Sequence, residues 1–247
     1  MTEQHPQGRL SIVATPIGNL SDMTQRAKTT LEEADLILCE DTRVTKKLLN
    51  AYGISTPTMS FHHHSDAGKY QEVQTLLAQG KHLAYVSDAG TPGISDPGGL
   101  LVASLVHEQN DSTPIITPIP GPSSLTAALS VSGFAVERFL FLGFAPHKNK
   151  RKLFVSEIAA SEYSVAFCES SHRMQKALMQ LSTVLEPSRR VCICRELTKK
   201  FKQVVYTTAQ HLSTISLPEK GECVIVVEGN RYAKHGLQQS AVDEETA

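Results

Sequence analysis

The feature that most constrains the fold of this chain is a repeated unit of a short apolar run, a polar or glycine- and proline-rich loop, and a helix-like stretch. In the first half of the sequence the apolar runs end after residues 14, 40, 87 and 117. Alternating strands and helices predict right-handed crossovers and a mainly parallel sheet. The carboxyl ends of parallel strands share one edge, where ligands bind in open α/β sheets. The four loops are therefore predicted to face one binding crevice.

The loop after the third of these runs is the most informative. Residues 82–86 read as a buried strand that ends at Ser87-Asp88, and six of the next eleven residues are glycine or proline. Connections of this type usually take about 2–6 residues, so a longer one indicates a purpose beyond chain reversal. Glycine permits close backbone approach to a ligand and positive φ angles. No Gly-x-Gly-x-x-Gly follows the first strand, and no Walker loop occurs, which disfavours nicotinamide and nucleoside-triphosphate chemistry.

The second half of the chain predicts a different sheet. Runs at residues 139–142, 163–168, 190–195, 202–207 and 222–227 read as strands, and two of them are separated by a short segment typical of a hairpin. The predicted sheet is mixed, with antiparallel edges. The fold class predicted is α/β, with a parallel N-terminal domain over residues 9–133 and a mixed C-terminal domain over 138–229. Residues 1–8 and 230–247 are predicted to be flexible tails.

Charge limits the choice of partner. The formal net charge is −1, so the chain has no globally basic field, and binding to nucleic acid would need local positive patches. Three candidate patches occur, at Lys46-Lys47, at residues 148–152 and at residues 199–202.

The cysteines indicate a reducing compartment. All five lie in apolar runs and none forms a Cys-x-x-Cys pair, which predicts buried free thiols. The N-terminus lacks the pattern of a secretory leader, and no run has the length of a membrane span. We expect a cytoplasmic protein. Three adjacent histidines, residues 62–64, are not predicted to bind a metal, because neighbouring side chains cannot all turn toward one ion and no zinc-type spacing accompanies them.

Seven short motifs, in order and at strand ends, resemble the ribosomal RNA small-subunit methyltransferase I family, which belongs to the tetrapyrrole-methylase-like S-adenosylmethionine enzymes. The motifs are Thr15–Leu20, Glu40–Arg43, Ser87–Pro92 with Ser95–Gly98, Pro120–Ser123, Glu169–Arg173, Arg195–Lys199 and Gly221-Glu222. The resemblance covers residues 9–229. It implies 2′-O-methylation of a cytidine ribose in small-subunit ribosomal RNA, by a homodimer whose cofactor lies in the crevice between the two domains.

A binding site for S-adenosylmethionine needs backbone N–H donors, acceptors and close backbone approach, which loops rich in glycine and proline supply. The positions predicted to contact the cofactor are Pro16, Asp88, Ala89, Gly90, Thr91, Pro92, Ser95, Gly121, Ser123, Ser124, Phe167 and Gly221. Gly90, Thr91 and Pro92 are the expected backbone contacts.

Methyl transfer to a ribose hydroxyl needs alignment and partial deprotonation of that hydroxyl. The candidate catalytic residues are Asp41, Arg43, Glu169 and Glu196. A competing interpretation is that Asp41 caps the following helix and pairs with Arg43. Five cationic residues are predicted to hold RNA phosphates: Lys148, Lys150, Arg151, Arg173 and Lys199.

Two alternatives stay open at the level of sequence. One keeps the fold and changes the reaction to C-methylation of a tetrapyrrole precursor, which would favour an apolar trough over these cations. The other is an RNA-binding ribosome-assembly factor that keeps the cofactor but does not turn over.

Overall fold

The structure is a computed structural model, and it describes residues 7–62, 65–106, 113–148 and 150–233. The contacts divide the chain into two compact units, Met1–Ser123 and Ser124–Ala247. This division falls before the joint expected near residues 133–138. The helix that follows Ser123 buries Leu125, Ala128 and Leu129 in a core of the second unit.

The first unit is built on a five-stranded sheet in the order β3-β2-β4-β1-β5, and every neighbouring pair is parallel. The strands are β1 (Arg9–Val13), β2 (Leu36–Cys39), β3 (Thr58–Ser60), β4 (His82–Val86) and β5 (Ile115–Ile119). The helices are α1 (Gln25–Glu33), α2 (Thr42–Tyr52), α3 (Ala67–Ala78) and α4 (Gly98–Val106). The predicted parallel α/β sheet is confirmed.

Helices cover both faces of this sheet. Ala27 and Leu31 of α1 and Leu49 of α2 pack on one face, against side chains such as Val13 and Val86. On the other face, residues of α3 and α4 pack against Leu10, Leu83 and Tyr85. Alternate strand residues therefore point to opposite cores, as the near-continuous apolar runs of a sheet buried on both faces require.

One predicted helix start is wrong. In the sequence, Asp22 is followed three residues later by Gln25, a capping-box pattern that predicts Asp22 as the N-cap of α1. In the structure Asp22 instead ends a 3₁₀ turn, Leu20–Asp22. The cap is Thr24, whose hydroxyl accepts the N–H of Ala27 at 3.1 Å. Asp22 and Thr24 are both chemically suited to cap a helix. Because Asp22 belongs to the preceding 3₁₀ turn, Thr24 is the cap.

The second unit has a five-stranded sheet in the order β6-β7-β10-β8-β9, in which only the β6–β7 pair is parallel. The strands are β6 (Phe139–Phe144), β7 (Ser164–Ser170), β8 (Arg190–Arg195), β9 (Gln203–Thr208) and β10 (Glu222–Val227). The helices are α5 (Ser124–Ser132), α6 (Arg151–Ala160), α7 (Ser171–Ser182) and the short α8 (Asn230–Ala233). The predicted mixed sheet and the hairpin of β8 and β9 are confirmed.

Most of the two predicted tails lies outside the described residues, but Asn230–Ala233 are helical, so the C-terminal tail does not begin at residue 230. Within the described ranges no helix combines the length and the apolar character that a bilayer crossing needs.

Candidate active site

The candidate site lies at the carboxyl edge of the first sheet, where β1 and β4 are neighbours. The chain leaves β1 toward α1 on one face and leaves β4 toward α4 on the other. Loops that diverge in this way open a crevice, and ligands of α/β sheets bind at such a switch point. The loop that the sequence marked as most informative is the one after β4.

Backbone hydrogen bonds fix the loops after β1 and β4 to each other. The Thr15 N–H donates to Gly90 O at 2.9 Å, and the Gly90 N–H donates to Thr15 O at 3.1 Å. Gly90 has a φ of +84°, and a Cβ atom added there would lie 3.3 Å from Ile17 Cγ2. The positive φ therefore favours glycine at this position, and the close approach would press any Cβ against Ile17.

The loop after β5 joins the same cluster. The Thr91 hydroxyl donates to Pro122 O at 3.0 Å. A Cβ added at Gly121 would lie 3.0 Å from the Cβ of Ala14 in the loop after β1. Three loops from neighbouring strands thus meet with almost no side-chain volume between their backbones.

Asp88 connects this cluster to the end of β2. Its Oδ1 accepts the Asp41 N–H at 3.2 Å, and its own N–H donates to Glu40 Oε1 at 3.3 Å. The Asp88 side chain is exposed. Asp88 is therefore both a link between loops and an acceptor available to a ligand.

Sequence reasoning missed the residue that shapes the rest of the β4 loop. Asp96 accepts the Gly93 N–H with both carboxylate oxygens at 2.8 Å, and its Oδ1 accepts the Gly98 N–H at 2.8 Å. Ser95, just before it, has a φ of +70°. The available signal was an aspartate followed by proline, a pattern typical of turns in which the side chain bonds nearby backbone.

Asp41 and Arg43 form the local pair that the competing interpretation described. Asp41 caps α2 by accepting the Arg43 N–H at 2.8 Å, and its two oxygens also accept the guanidinium at 3.1 and 2.7 Å. Hydrogen bonds from the Arg43 side chain and backbone lower the pKa of Asp41 to about 2. The carboxylate is ionised at every physiological pH and is a weak proton acceptor.

In the second unit, Glu169 is enclosed rather than exposed. Its carboxylate lies 2.7 Å from Arg151 Nη1 and 2.5 Å from Arg173 Nη2, and its side chain is 0% exposed. Arg151 is also buried and donates to Gln180 Oε1 at 2.7 Å. Three residues expected to contact substrate therefore bind one another and tie α6 and α7 to the end of β7.

A second ion pair, formed by Glu196 and Lys199, lies beside the start of β10. Glu196 accepts Lys199 Nζ at 2.8 Å and the Glu222 N–H at 3.0 Å. Burial opposes ionisation of Glu196, but these hydrogen bonds prevail and lower its pKa. A Cβ at Gly221 would lie 2.7 Å from Glu196 Cγ, so this glycine makes room for the carboxylate.

The structure brings most of the first-unit predictions together. The loops after β1, β4 and β5 gather Pro16, Asp88, Ala89, Gly90, Thr91, Pro92, Gly121 and Ser123. Phe167 is a core residue, 1% exposed, whose ring packs edge-on against Phe154 at 5.4 Å. Lys148 and Lys150 are exposed, whereas Lys199 is paired with Glu196.

Comparisons with known proteins identify the family of the chain. The family model of tetrapyrrole (corrin/porphyrin) methylases matches residues 9–213. A protein of Synechocystis named ribosomal RNA small subunit methyltransferase I is 44% identical over 226 residues, which cover 90% of this chain and 79% of the relative. The chain belongs to the ribosomal RNA small subunit methyltransferase I family.

Other members of the ribosomal RNA small subunit methyltransferase I family match over nearly the full length. The Leptospira biflexa protein of that name is 40% identical over 97% of this chain and 99% of its own. Among solved structures, uroporphyrin-III-C-methyltransferase from Thermus thermophilus superposes with a TM-score of 0.62 at 14% identity, covering 90% of this chain and 94% of the other. At that identity the likeness shows the fold, and it confirms the predicted tetrapyrrole-methylase class.

Proposed function

We propose that this protein transfers a methyl group from S-adenosylmethionine to small-subunit ribosomal RNA, at the 2′-hydroxyl of a cytidine. The observation that carries the proposal is the backbone cradle formed by the loops after β1, β4 and β5, in a chain 44% identical to a ribosomal RNA small subunit methyltransferase I. The likeness to a tetrapyrrole methylase is 14% in sequence, so it supports the fold without supporting a tetrapyrrole as the acceptor.

The cradle has the features that this cofactor needs. A side chain at Gly90 or Gly121 would crowd the neighbouring loop, and Thr15 has a buried hydroxyl that has no partner among the described residues. Gly90, Thr91 and Pro92 would hold the cofactor through backbone groups, and Asp88 would accept from a hydroxyl or an amine. When bound, S-adenosylmethionine supplies a methyl group on a positively charged sulfur.

The chemistry proposed for the acceptor relies on positioning. The Arg43 hydrogen bonds lower the pKa of Asp41 to about 2, which makes it a weak base. Glu169 is fully buried between two guanidiniums and is not accessible to an acceptor hydroxyl. Asp41 and Arg43 would orient the acceptor through their exposed hydrogen-bonding groups. Holding the hydroxyl in line with the transferred methyl can contribute several kcal/mol, roughly 7–11 in well-oriented systems.

The experiment that tests the proposal is mass mapping of ribose methylation in small-subunit RNA from cells with and without this protein. We expect one 2′-O-methylcytidine to disappear and to return when purified protein and labelled S-adenosylmethionine are added to the subunits. A map that does not change would overturn the proposal. RNA binding without incorporation of label would instead support the non-catalytic assembly factor.

We also propose a cytoplasmic homodimer. All five cysteines are free thiols, as expected in a reducing compartment. β6 is an edge strand of the second sheet and exposes Phe139 and Phe144, at 41% and 60%, which a second copy could cover. Light scattering should give twice the chain mass, and Phe144→Lys should lower it. A wild-type monomer would contradict the dimer.

A further inference from the structure

A pocket of about 310 Å³ lies in the first unit beside the cradle. Its walls come from the segment after β1, the outer side of α2 and the end of β4. The apolar lining residues are Pro16, Leu20, Val44, Leu48 and Ala51, and the polar ones at its rim include Lys47 and Asp88. The volume is at the lower end of the range for small-ligand sites, about 300–1,000 Å³.

The pocket shares a wall with the proposed cofactor site. Pro16 and Asp88 line the pocket and are also predicted cofactor contacts. Asp88 further accepts the backbone N–H of Asp41, the N-cap of α2. A group bound in the pocket would therefore lie directly beside the cradle from which the methyl group is transferred.

The lining indicates a flat, mostly apolar occupant. Leu20 is 50% exposed and Val44 is 39% exposed, so two large hydrophobic side chains face solvent at the mouth. A nucleobase has apolar faces and a polar edge, and enzymes that modify nucleotides hold an extruded base between apolar side chains while polar groups read its edge. Lys47 and Asp88 provide a donor and an acceptor for such an edge.

The charges around the pocket suit the backbone on either side of a base. Lys46 and Lys47 are exposed on α2, and within the described ranges neither forms a salt bridge. Arg151 and Arg173 of the second unit, by contrast, are paired with Glu169. Lys46 and Lys47 therefore remain available for phosphates, as do the exposed Lys148 and Lys150 of the second unit.

We infer that this pocket receives the base of the acceptor nucleotide in single-stranded RNA, and that Lys46 and Lys47 hold its flanking phosphates. The inference rests on the proposed function and deepens it. The base in the pocket sets the position of its ribose, so the pocket determines which nucleotide is presented to the cofactor.

Filling the pocket tests the part played by the base. Val44→Trp places a large ring at the mouth from an exposed site, and Val106→Trp is the control, because Val106 is 37% exposed on α4 and lies outside the pocket. With small ribosomal subunits and labelled S-adenosylmethionine, we expect Val44→Trp to lower kcat/KM about tenfold or more. The affinity for S-adenosylhomocysteine should stay within about twofold, and Val106→Trp should match the wild type.

The double variant Lys46→Ala/Lys47→Ala tests the phosphate contacts. For two contacts to single-stranded RNA, the slope of log affinity against log salt should become shallower by about 1.4. Lys69→Ala/Lys81→Ala removes the same charge from lysines that are paired with Glu72 and Asp35, and it should leave the slope unchanged.

The outcomes separate this inference from the proposed function. If wild-type protein incorporates no methyl group into small-subunit RNA, the proposed function fails first. If wild-type protein methylates the RNA, and Val44→Trp and the Lys46/Lys47 variant behave as their controls do, the function stands and the pocket assignment is overturned.

Discussion

Gly90 combines a conformational and a steric requirement in one residue. Its φ is +84° and an added Cβ would lie 3.3 Å from Ile17. We expect Gly90→Ala to lower the free energy of unfolding by about 1–2 kcal/mol, the cost of a left-handed conformation for an L-residue. It should also weaken S-adenosylmethionine binding about tenfold or more by shifting the β4 loop. Calorimetric titration and urea denaturation measure both effects.

Gly53→Ala is the control for that variant. Gly53 has a similar φ of +73°, but nothing lies within 4 Å of its added Cβ, and it ends α2 away from the cradle. It should lose comparable stability and keep its cofactor affinity. Equal losses of affinity in the two variants would show that Gly90 acts only through stability.

The buried His82 should make the free energy of unfolding of the protein depend on pH. It is buried in β4, where Nε2 lies 2.9 Å from the Ser11 hydroxyl and Nδ1 has no partner among the described groups. Burial, aided by the positive charge of Arg9, lowers the pKa of His82 below its usual 6.5. The unfolded chain therefore binds the proton more readily, and stability is lost as pH falls below about 6.5.

The measurement is the free energy of unfolding at pH 7.5 and 5.5 for the wild type and for His82→Gln, which keeps a hydrogen-bonding group without the titration. We expect the wild type to lose more stability than the variant. His211→Gln, at an exposed histidine, should retain the full wild-type loss. Identical losses in the wild type and His82→Gln would refute the assignment to His82.

At the scale of elements, the sequence predicted most of the helices and strands because each has a simple periodic pattern. The fully buried β4 and the β8–β9 hairpin are examples. The order β3-β2-β4-β1-β5 could not be read from the sequence, because three of its four neighbouring pairs join strands that are not consecutive in the chain. The predicted start of α1 was wrong because two residues that can cap a helix stand two positions apart in the sequence.

The sequence likewise predicted those parts of the candidate site that depend on local signals and missed those that depend on contacts between distant residues. Glycine- and proline-rich loops are local signals, and they identified the cradle. Of the two partners of Glu169, Arg173 lies four residues away and is a local signal. Arg151 is not, because it lies 18 residues away and meets Glu169 only when α6 packs on β7. Arg151 and Arg173, which were predicted to hold RNA phosphates, pair with Glu169 in the structure, and no pattern in the sequence distinguishes these two uses of an arginine.

The ion cluster of Glu169, Arg151 and Arg173 should contribute strongly to the stability of α6 and α7. Glu169→Gln removes the counter-charge of two guanidiniums, one of them buried, and we expect it to cost about 3–5 kcal/mol, the usual penalty for breaking a buried pair. Glu72→Gln breaks an exposed pair with Lys69 and should cost less than about 1 kcal/mol. Urea denaturation compares them, and a Glu169→Gln effect as small as that of Glu72→Gln would refute the structural role.

At the scale of the whole molecule, the net charge of −1 means that RNA affinity must come from local cations and not from a global field. Lys148 and Lys150 are exposed and, within the described ranges, unpaired by carboxylates. Lys148→Ala/Lys150→Ala should reduce the slope of log affinity against log salt by about 1.4, as two lost phosphate contacts require.

The decisive comparison is again Lys69→Ala/Lys81→Ala, because both double variants carry the net charge from −1 to −3 by removing two positive charges. If RNA affinity came from the global field, both variants would change the salt dependence equally. If it comes from local contacts, only the loss of lysines that touch RNA changes it. Filter binding to small-subunit RNA between about 50 and 200 mM salt resolves the difference. Parallel slopes for both variants would mean that residues 148 and 150 do not contact the RNA, and that the free lysines of α2 carry more of the binding than those of the second unit.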